Sequence, residues 1–508
     1  MIPFTTYVWI LSVAWVLLLG IRIIYRLFFR PLRNFPGPKL AAASSCYQTY
    51  HDVIRHGQYI WVIKQMHEKY GPIVRITPNE LHINDPYFYD EIYAGGNRKR
   101  DKTIEFSNAG SFNGALLTTI FHDQHRFRRG IINKLFSTQA VRNFDASIQE
   151  HVDTLVHVLE EAKRTDSVVK LTELFGALSA DVVSQFTYGT SHGYLKGDSN
   201  EMDLLEAVYS ATVFAHTTFA FPFLATMALK LPFAVLRKLP INTVPILELR
   251  EWAGLKIAEV AQQQKIKTDK SQGPTTLFEM LVDDNVPAAE RDPLRLKNEA
   301  ATIFAAGVET CARVMALSVF HLTKDRSKLE KLREELHPVM SNRSERISPT
   351  EMEKLPYLTG VINEGLRLSY GSTLRFPRVA PDEALHFEGF VIPPGTVMSQ
   401  SNYFLHTDPS IFPDPTNFDP ERWIRAAEND QNLKRFIGSF SKGSRQCLGM
   451  TLAYSLLYIA MPAVFSRFDM ELYNTTEEDV VIGRDLAFSQ PVMGRFRVDV
   501  KVAKVLGI

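Results

Sequence analysis

Apolar residues recur along most of the chain at the spacing of helices, and only short stretches alternate as strands do. Helical spacing dominates Phe127–Lys331, and an amphipathic helix is predicted over Thr49–Tyr70. The segment Gly71–Ile83 alternates at period two and predicts a β-hairpin, and short strands are predicted over Leu374–Met398. A last helix is expected to begin near Leu448. The pattern therefore predicts one mainly α domain with a small β portion.

The segment Arg295–Asp325 is apolar on nearly all sides of its predicted helix. Such a helix is typical of the core of a large protein. A membrane span is the alternative, but Glu299, Glu309 and Arg313 interrupt the apolar run, and charges are costly in the middle of a bilayer. We therefore expect a buried core helix.

The first residues of the chain carry a different apolar run, because no charged side chain occurs from Met1 to Ile21. This length matches the hydrocarbon thickness of a membrane. A cleaved signal peptide is the alternative, but its basic residues would precede the apolar run rather than come after it. Basic residues after the run keep the bulk of the chain on the cytoplasmic side. We expect a membrane anchor over residues 1–29, a proline-rich hinge over 30–48 and one globular domain over 49–508.

Composition excludes several functional classes. The 508 residues carry a formal net charge of +1, so no global field favours nucleic acid as a partner. The three cysteines, Cys46, Cys311 and Cys447, are far apart, and their number is odd. A disulfide framework and a cysteine-rich zinc site are therefore not expected, and a reducing compartment is.

The stretch "FSKGSRQCLG" places Cys447 between an arginine and two glycines. A buried inert thiol is the ordinary interpretation of a lone cysteine. However, Gly443 and Gly449 allow a positive φ or the close approach of a flat group, and Arg445 can reach carboxylates at its rim. Phe440 can cover the sulfur, and the following helix can stabilise a thiolate. This combination suits an axial iron ligand.

The stretch also matches the signature F-x-x-G-x-R-x-C-x-G at every fixed position, and in this it resembles the cytochrome P450 monooxygenases. A phosphate-binding loop is excluded, because its lysine is replaced by Ser444. The resemblance implies a cytochrome P450 fold preceded by one N-terminal transmembrane helix. It also implies haem b as the cofactor, with Cys447 as the iron ligand and Arg445, Phe440, Gly443 and Gly449 around it.

The motif "AGVET" in the long apolar helix resembles the oxygen-activation motif of this family. A glycine such as Gly307 in the middle of a helix lowers the stability of the helix by about 1 kcal/mol relative to alanine. A local opening of the helix at this position would make that loss tolerable. Thr310 and Glu309 would then relay protons. The alternative is a threonine bonded back to its own helix and a glutamate at the surface.

Further arginines match family motifs. The resemblance implies that Glu364 and Arg367 of "NEGLR" and Arg422 of "DPERW" form a buried structural triad behind the haem. It also implies that the haem propionates bind further side chains. These are His125, Arg129 and Arg378, together with Arg445. Each arginine could instead be an ordinary solvated surface charge.

The resemblance covers nearly the whole chain. The stretches "FPGPKLAAAS" and "HEKYGPIVRITPNELHI" also resemble the fungal members near trichodiene oxygenase. The resemblance implies a monooxygenase that inserts one atom of O2 into a lipophilic secondary metabolite, with a terpenoid or meroterpenoid as the expected class. An oxygen-independent isomerase or dehydratase and a non-catalytic haem-bound lipid binder are the alternatives.

The chain contains no flavin or nicotinamide motif, so electrons must come from another protein. The resemblance implies NADPH-cytochrome P450 reductase, with cytochrome b5 as a second donor, on the endoplasmic reticulum membrane. We expect the domain in the cytosol and a docking surface that includes Arg126, Arg128, Lys134 and Lys442.

The apolar segment Val213–Phe233 could line a substrate channel, touch the bilayer or belong to the core. Aromatic residues in and near it are candidates to line the pocket: Phe106, Phe112, Phe214 and Phe219.

Overall fold

Long helices make up most of the molecule. The computed structural model describes residues 3–108, 112–197, 204–221, 244–266, 276–341 and 348–506, and the single positions 227, 231, 235 and 238. Within these ranges the helices of 11 or more residues are α1 Phe4–Ile24, α2 Tyr59–Tyr70, α3 His122–Ile132, α4 Asp145–Arg164, α5 Leu171–Tyr188, α6 Leu204–Ala220, α7 Val244–Ile266, α8 Pro293–Lys324, α9 Arg326–Met340, α10 Pro356–Leu368 and α11 Met450–Arg467.

Shorter helices connect these long ones. They are Lys39–Ala43, Cys46–Thr49, Tyr89–Ile92, Ile104–Asn108, Thr138–Arg142, Leu277–Leu281, Pro349–Met352, Asn402–His406 and Glu421–Glu428. The strands are β1 Ile73–Arg75, β2 Glu80–Ile83, β3 Val168–Lys170, β4 Arg378–Val379, β5 Leu385–Phe387, β6 Phe390–Ile392, β7 Val397–Ser399, β8 Phe468–Leu472, β9 Arg484–Leu486, β10 Phe488–Gln490 and β11 Asp499–Val505.

The strands form small separate sheets. The largest has the order β1-β2-β7-β4, in which β2 and β7 run parallel and the other neighbours run antiparallel. Its first two strands are the predicted hairpin, with Ile73 opposite Ile83. A second sheet has the order β3-β11-β8, and two hairpins pair β9 with β10 and β5 with β6. The predicted mainly α fold with a small β portion is confirmed.

Helix α8 is the centre of the main hydrophobic core. It packs against α5, α7 and α10, and most of its side chains are buried, Phe304 and Phe320 among them. This burial confirms the predicted core helix over the membrane span. The packing against α5 is close, because a Cβ added to Gly307 would lie 2.6 Å from the Cγ2 atom of Val183.

Two predicted features differ in the structure. The single helix expected over Thr49–Tyr70 is broken, because His56 and Gly57 both adopt positive φ. Gly57 is required there, since an added Cβ would overlap the backbone of Asp485. The strand β3 was not predicted within the helical region. It forms because Val169 pairs with Val500 of the distant β11.

Helix α1 buries none of its side chains in the rest of the molecule. Together with the next turn, to Phe29, it is long and apolar enough to cross a membrane, which is consistent with the predicted anchor. Its end is tied to the globular part by hydrogen bonds. Arg75 donates to the carbonyl oxygens of Arg26 and Pro78, and Arg26 donates to that of Ala43.

Candidate active site

The cysteine stretch folds as a tight loop that leads into α11. The amide of Cys447 donates to the carbonyl of Phe440 at 2.8 Å, which closes the loop. Gly443 begins the turn with φ +70°, and an added Cβ there would overlap the carbonyl oxygens of Tyr93 and Ala94. Glycine is therefore required at position 443, where the loop packs against the backbone of Tyr93 and Ala94. An added Cβ at Gly449 would meet no atom within 4 Å.

The sulfur of Cys447 faces open space inside the molecule. Its side chain is accessible, yet burial raises its pKa, while a backbone hydrogen bond from Gly449 and the charge of Arg129 oppose that shift. An accessible side chain in a desolvated place indicates a cavity beside it. Burial, with a further contribution from Cys447, raises the pKa of Cys311 to about 12, so the sulfur lies near α8. Ala306 is exposed on that same helix, although Phe304 and Val308 on either side of it are buried.

Buried cations gather next to this loop without carboxylate partners. Arg445 donates to the carbonyls of Arg100, Thr119 and Ile120, and Arg378 donates to that of Pro377. Lys102 donates to a backbone carbonyl in the same way. In the described part of the chain, neither arginine nor Lys102 forms an ion pair.

Burial lowers the pKa values of these groups, and nearby positive charges add to the shift for Arg445, Lys102 and His125. Burial lowers the pKa of Arg445 to about 9, and the charge of Arg378 adds to the shift. Burial also lowers the pKa of His125 to about 2, helped by Arg445 and Lys102. Buried charges are normally paired, so this set suits an anionic ligand. A flat group with two carboxylates beside an accessible thiol fits both observations.

Arg129 lies on α3 but contacts the cysteine loop directly. Its Nη1 donates to the carbonyl of Gln446 at 2.5 Å, one residue before the cysteine. Burial lowers the pKa of Arg129, and Cys447 opposes the shift. The contact of Arg129 with a haem propionate stays a prediction. In the structure, the hydrogen bond of Arg129 to Gln446 joins α3 to the cysteine loop.

The two residues expected to relay protons have different surroundings. Thr310 is partly exposed, and its hydroxyl donates to the carbonyl of Ala306 at 2.9 Å. Glu309 pairs with Arg313 at 2.6 Å, and Arg313 in turn donates to the carbonyl of Ser489. The helix continues through this region without the predicted opening, and Gly307 is explained by its contact with α5.

Behind the loop, the structure brings Glu364, Arg367 and Arg422 together. Arg367 bonds both oxygens of Glu364, at 2.7 and 2.8 Å, and Arg422 bonds one of them at 2.9 Å. Trp423 also donates to this carboxylate, at 3.0 Å. Both carboxylate oxygens of Glu364 therefore accept hydrogen bonds, as a fully buried carboxylate requires.

His406 links this group to the cysteine loop. Its Nδ1 donates to the carbonyl of Arg367 at 2.7 Å, and its Nε2 accepts from the amide of Gly438 at 2.8 Å. The carbonyl can only accept, so the imidazole is neutral with its proton on Nδ1. Sequence reasoning missed His406, Trp423 and Lys102. Their roles come from contacts across the fold, and only the position of Trp423 beside Arg422 was a local signal.

We expect His406 to make the protein sensitive to acid. Burial lowers its pKa from 6.5 to about 3, so between these values the unfolded chain binds a proton that the native state does not. The free energy of unfolding should therefore fall as the pH falls from 6.5 to about 3, by up to about 1.4 kcal/mol per pH unit from this one group. Urea titrations across this pH range measure the slope.

A glutamine at this position, His406→Gln, offers one donor and one acceptor but cannot titrate. In this variant the free energy of unfolding should change less steeply with pH than in the wild type. The difference in slope should be up to about 1.4 kcal/mol per pH unit, which corresponds to one proton. His406→Leu, the matched control, leaves the Gly438 amide without an acceptor and the Arg367 carbonyl with only the Tyr370 amide as a donor, and it should cost about 2 kcal/mol at neutral pH. Equal slopes for wild type and His406→Gln would contradict the prediction.

The residues predicted to dock an electron donor differ in their surroundings. Arg126 and Lys134 are exposed, and Lys442 pairs with Asp90. Arg128 was predicted wrongly, because it is buried in an ion pair with Glu290 at 2.9 Å.

Among the candidate lining residues, Phe106 and Phe219 line one cavity. Phe214 is buried, and Phe112 packs on the main core. In the segment Val213–Phe233, residues 222–226, 228–230, 232 and 233 lie outside the described residues.

Comparison with known proteins agrees with this geometry. The family model of cytochrome P450 matches residues 38–492. Cytochrome P450 monooxygenase pbrB of Penicillium brasilianum is 40% identical over 485 residues, which is 95% of this chain and 94% of that protein. Conidiogenone synthase PchP450 of Penicillium rubens is 42% identical over 469 residues, 92% of this chain and 94% of that protein.

Cytochrome P450 monooxygenase TRI4 of Fusarium sporotrichioides is 39% identical over 489 residues. The alignment covers 95% of this chain and 93% of that protein. The match extends over nearly the whole length, and it includes the loop of Cys447, the buried cations and the Glu364 group. The chain belongs to the cytochrome P450 family.

Proposed function

We propose that the protein is a membrane-anchored haem-thiolate monooxygenase that uses haem b, and that it oxygenates a lipophilic secondary metabolite of terpenoid or meroterpenoid class. One observation carries the proposal: an accessible thiol, Cys447, lies beside buried cations that have no carboxylate partner in the described ranges of the chain. The similarity to TRI4 and to other fungal monooxygenases supports the substrate class.

The described residues fit haem b. Cys447 would bind the iron, and the carboxylates of the porphyrin would meet Arg445, Arg378 and Lys102, whose buried charges lack anions. His125, held neutral by its low pKa, can donate one hydrogen bond there. When bound, haem b supplies the iron chemistry that activates dioxygen, and a thiolate ligand favours this chemistry by donating electron density to the iron.

The chain contributes position, exclusion of water and a path for protons. The Gly449 amide and the start of α11 stabilise the thiolate form of Cys447. Phe440 packs beside the loop, its ring 5.2 Å from that of Tyr454. Thr310 can hold a proton at its hydroxyl next to the exposed Ala306. Glu309 is held by Arg313, so its part in the relay would require that ion pair to open.

The electron donor in this proposal is NADPH-cytochrome P450 reductase, with cytochrome b5 as a second donor. Arg126 and Lys134 are exposed on and just beyond α3, next to the exposed ring of Phe127. Basic residues around an apolar patch suit a partner with an acidic docking face. The apolar helix α1 supports placement on the endoplasmic reticulum membrane, with the domain in the cytosol.

Reconstitution tests the proposal. The purified protein, a fungal reductase and NADPH should consume O2 in proportion to a product that carries one oxygen atom from ¹⁸O2. Conversion without O2 would favour an isomerase or dehydratase. Ligand binding without any turnover, against a panel of terpenoids, would favour a lipid binder. Either outcome contradicts the proposal.

Thr310→Val should separate the consumption of NADPH from the formation of product. The variant keeps the shape of the side chain but loses the hydroxyl that holds a proton, so product per NADPH should fall about tenfold or more. The ratio of product to NADPH consumed measures the effect. Thr310→Ser, which keeps the hydroxyl, is the control and should stay near the wild-type ratio. An unchanged ratio in Thr310→Val would show that the hydroxyl has no such role.

A further inference from the structure

A second group of buried charges lies apart from the cysteine loop. Asp52 comes from the turn Tyr50–Ile54, His216 from α6, Arg375 from the segment before β4 and Asp485 from β9. Four separate parts of the chain thus bring their charged side chains to one place. The side chains of Asp52, His216 and Arg375 are each 8 or 9% exposed.

Several polar atoms of this group have no hydrogen-bond partner among the described residues. Oδ2 of Asp52 accepts from Gln48 at 3.1 Å, but its Oδ1 accepts nothing. The Nε2 atom of His216 is 3.6 Å from that oxygen and is also unpaired. The Nε atom of Arg375 makes no hydrogen bond either, since Oε1 of Glu80 is 3.6 Å away from it, and Nη2 of Arg375 lies 4.0 Å from Oδ2 of Asp52.

The carboxylate of Asp485, in the same group, does accept hydrogen bonds. Its Oδ1 accepts from the hydroxyl of Thr373 at 2.6 Å and from the amide of Ala487 at 3.1 Å. Buried polar atoms are normally paired in this way, and each unpaired one costs free energy. The open positions on Asp52, His216 and Arg375 therefore indicate a missing polar group.

These side chains, together with Gln48 and Asp485, line a cavity that also has apolar walls. The apolar lining residues are Phe106, Phe219, Ala220 and Leu374. The volume open to the centre of a water-sized sphere is about 20 Å³. That is room for one water-sized group. The whole cavity thus has space for one oxygen atom and its proton, so it can take the hydroxyl end of a ligand whose carbon skeleton lies beyond it.

The charges decide which group fits. Burial would raise the pKa of Asp52, but His216 and Arg375 bring it below its usual value, so Asp52 is ionised. Burial opposes the charge of His216, but Asp52 raises its pKa overall. The cavity therefore offers an acceptor on Asp52 beside donors on His216 and Arg375.

We propose that this cavity binds the hydroxyl group of an otherwise apolar substrate, with the hydroxyl donating to Oδ1 of Asp52 and accepting from His216 or Arg375. Neither a ketone nor a carboxylate offers a proton to Oδ1 of Asp52, whereas a hydroxyl group can both donate and accept a hydrogen bond. This inference rests on the proposed function and adds to it that the substrate already carries an oxygen. An earlier hydroxylation, or a hydration, must then supply the substrate.

Calorimetry on the full-length, haem-loaded protein in detergent tests the site. The probes are two matched pairs, farnesol with farnesene and dodecanol with dodecane. In the wild type each alcohol should bind about tenfold or more tightly than its hydrocarbon, the equivalent of a hydrogen bond to a charged group. In Asp52→Asn and His216→Phe that preference should disappear, while the affinity for the hydrocarbons stays within about twofold.

Asp382→Ala, which removes an exposed carboxylate, is the matched control and should keep the preference. Equal or undetectable binding of both members of each pair by the wild type overturns the inference, as does a preference that survives in both variants. The cavity would then hold an ordered water only. If one variant unfolds, the wild type and the other variant decide. A missing haem-thiolate spectrum would count against the proposed function, whereas the calorimetry tests this cavity by itself.

Discussion

Replacing Cys447 with alanine is expected to abolish the thiolate-type spectrum of the reduced, CO-bound protein and to remove all monooxygenase activity. No other cysteine can substitute. Cys311 is buried on α8 with a raised pKa, and Cys46 is exposed near the N-terminus. The side chains around the cavity remain, so Cys447→Ala should still fold, which circular dichroism can check. The absorbance of the CO-bound form and the rate of product formation measure the effect.

Cys46→Ala is the matched control, because it also removes a thiol but leaves the loop unchanged. It should keep the wild-type spectrum and rate. A thiolate-type spectrum in Cys447→Ala would show that the iron has another ligand. The assignment of the loop would then be wrong, and with it the proposed function.

Replacing Glu364 with glutamine is expected to cost about 3–5 kcal/mol, because Arg367 and Arg422 would be left as buried charges without their anion. This is a large share of the roughly 5–15 kcal/mol that stabilises a typical protein. The effect should reach the cysteine loop, since Arg367 positions His406 and His406 binds Gly438. Urea titration and the ratio of haem to protein measure the two losses.

Glu421→Gln is the control for this change. It removes a carboxylate next to Arg422 in the chain, but its partner Lys331 is on the surface, and exposed ion pairs contribute little. The control should therefore unfold at nearly the wild-type urea concentration. A Glu364→Gln protein as stable as this control would mean that the buried group is not needed for stability.

The sequence predicted the site well where the residues are close together in the chain. Cys447, Gly443 and Arg445 lie within one short loop, and Glu364 and Arg367 occupy one face of one helix turn, so their spacing alone brings them together. The long core helix was predicted for the same reason, since its composition excludes most other placements. The hairpin of β1 and β2 was predicted together with its pairing, because its two strands are adjacent in the chain. The sheet of β3, β11 and β8 was not predicted, because it pairs residues that are far apart.

The parts that sequence could not predict depend on contacts between distant segments. Asp52 and His216 are 164 positions apart in the chain, and nothing local in the sequence indicates that they face one cavity. Glu309 was expected to be available as a proton donor, but its partner Arg313 is set by the position of Ser489. Arg128 was expected at the surface, and its burial results from the ion pair with Glu290.

The hydrogen bond from Arg75 to the carbonyl oxygen of Arg26 attaches the segment that follows α1 to strand β1. If α1 crosses a membrane as proposed, this bond couples the tilt of the helix to the orientation of the globular part. Any shortened, water-soluble form should begin before residue 26, so that the buried guanidinium keeps its acceptors.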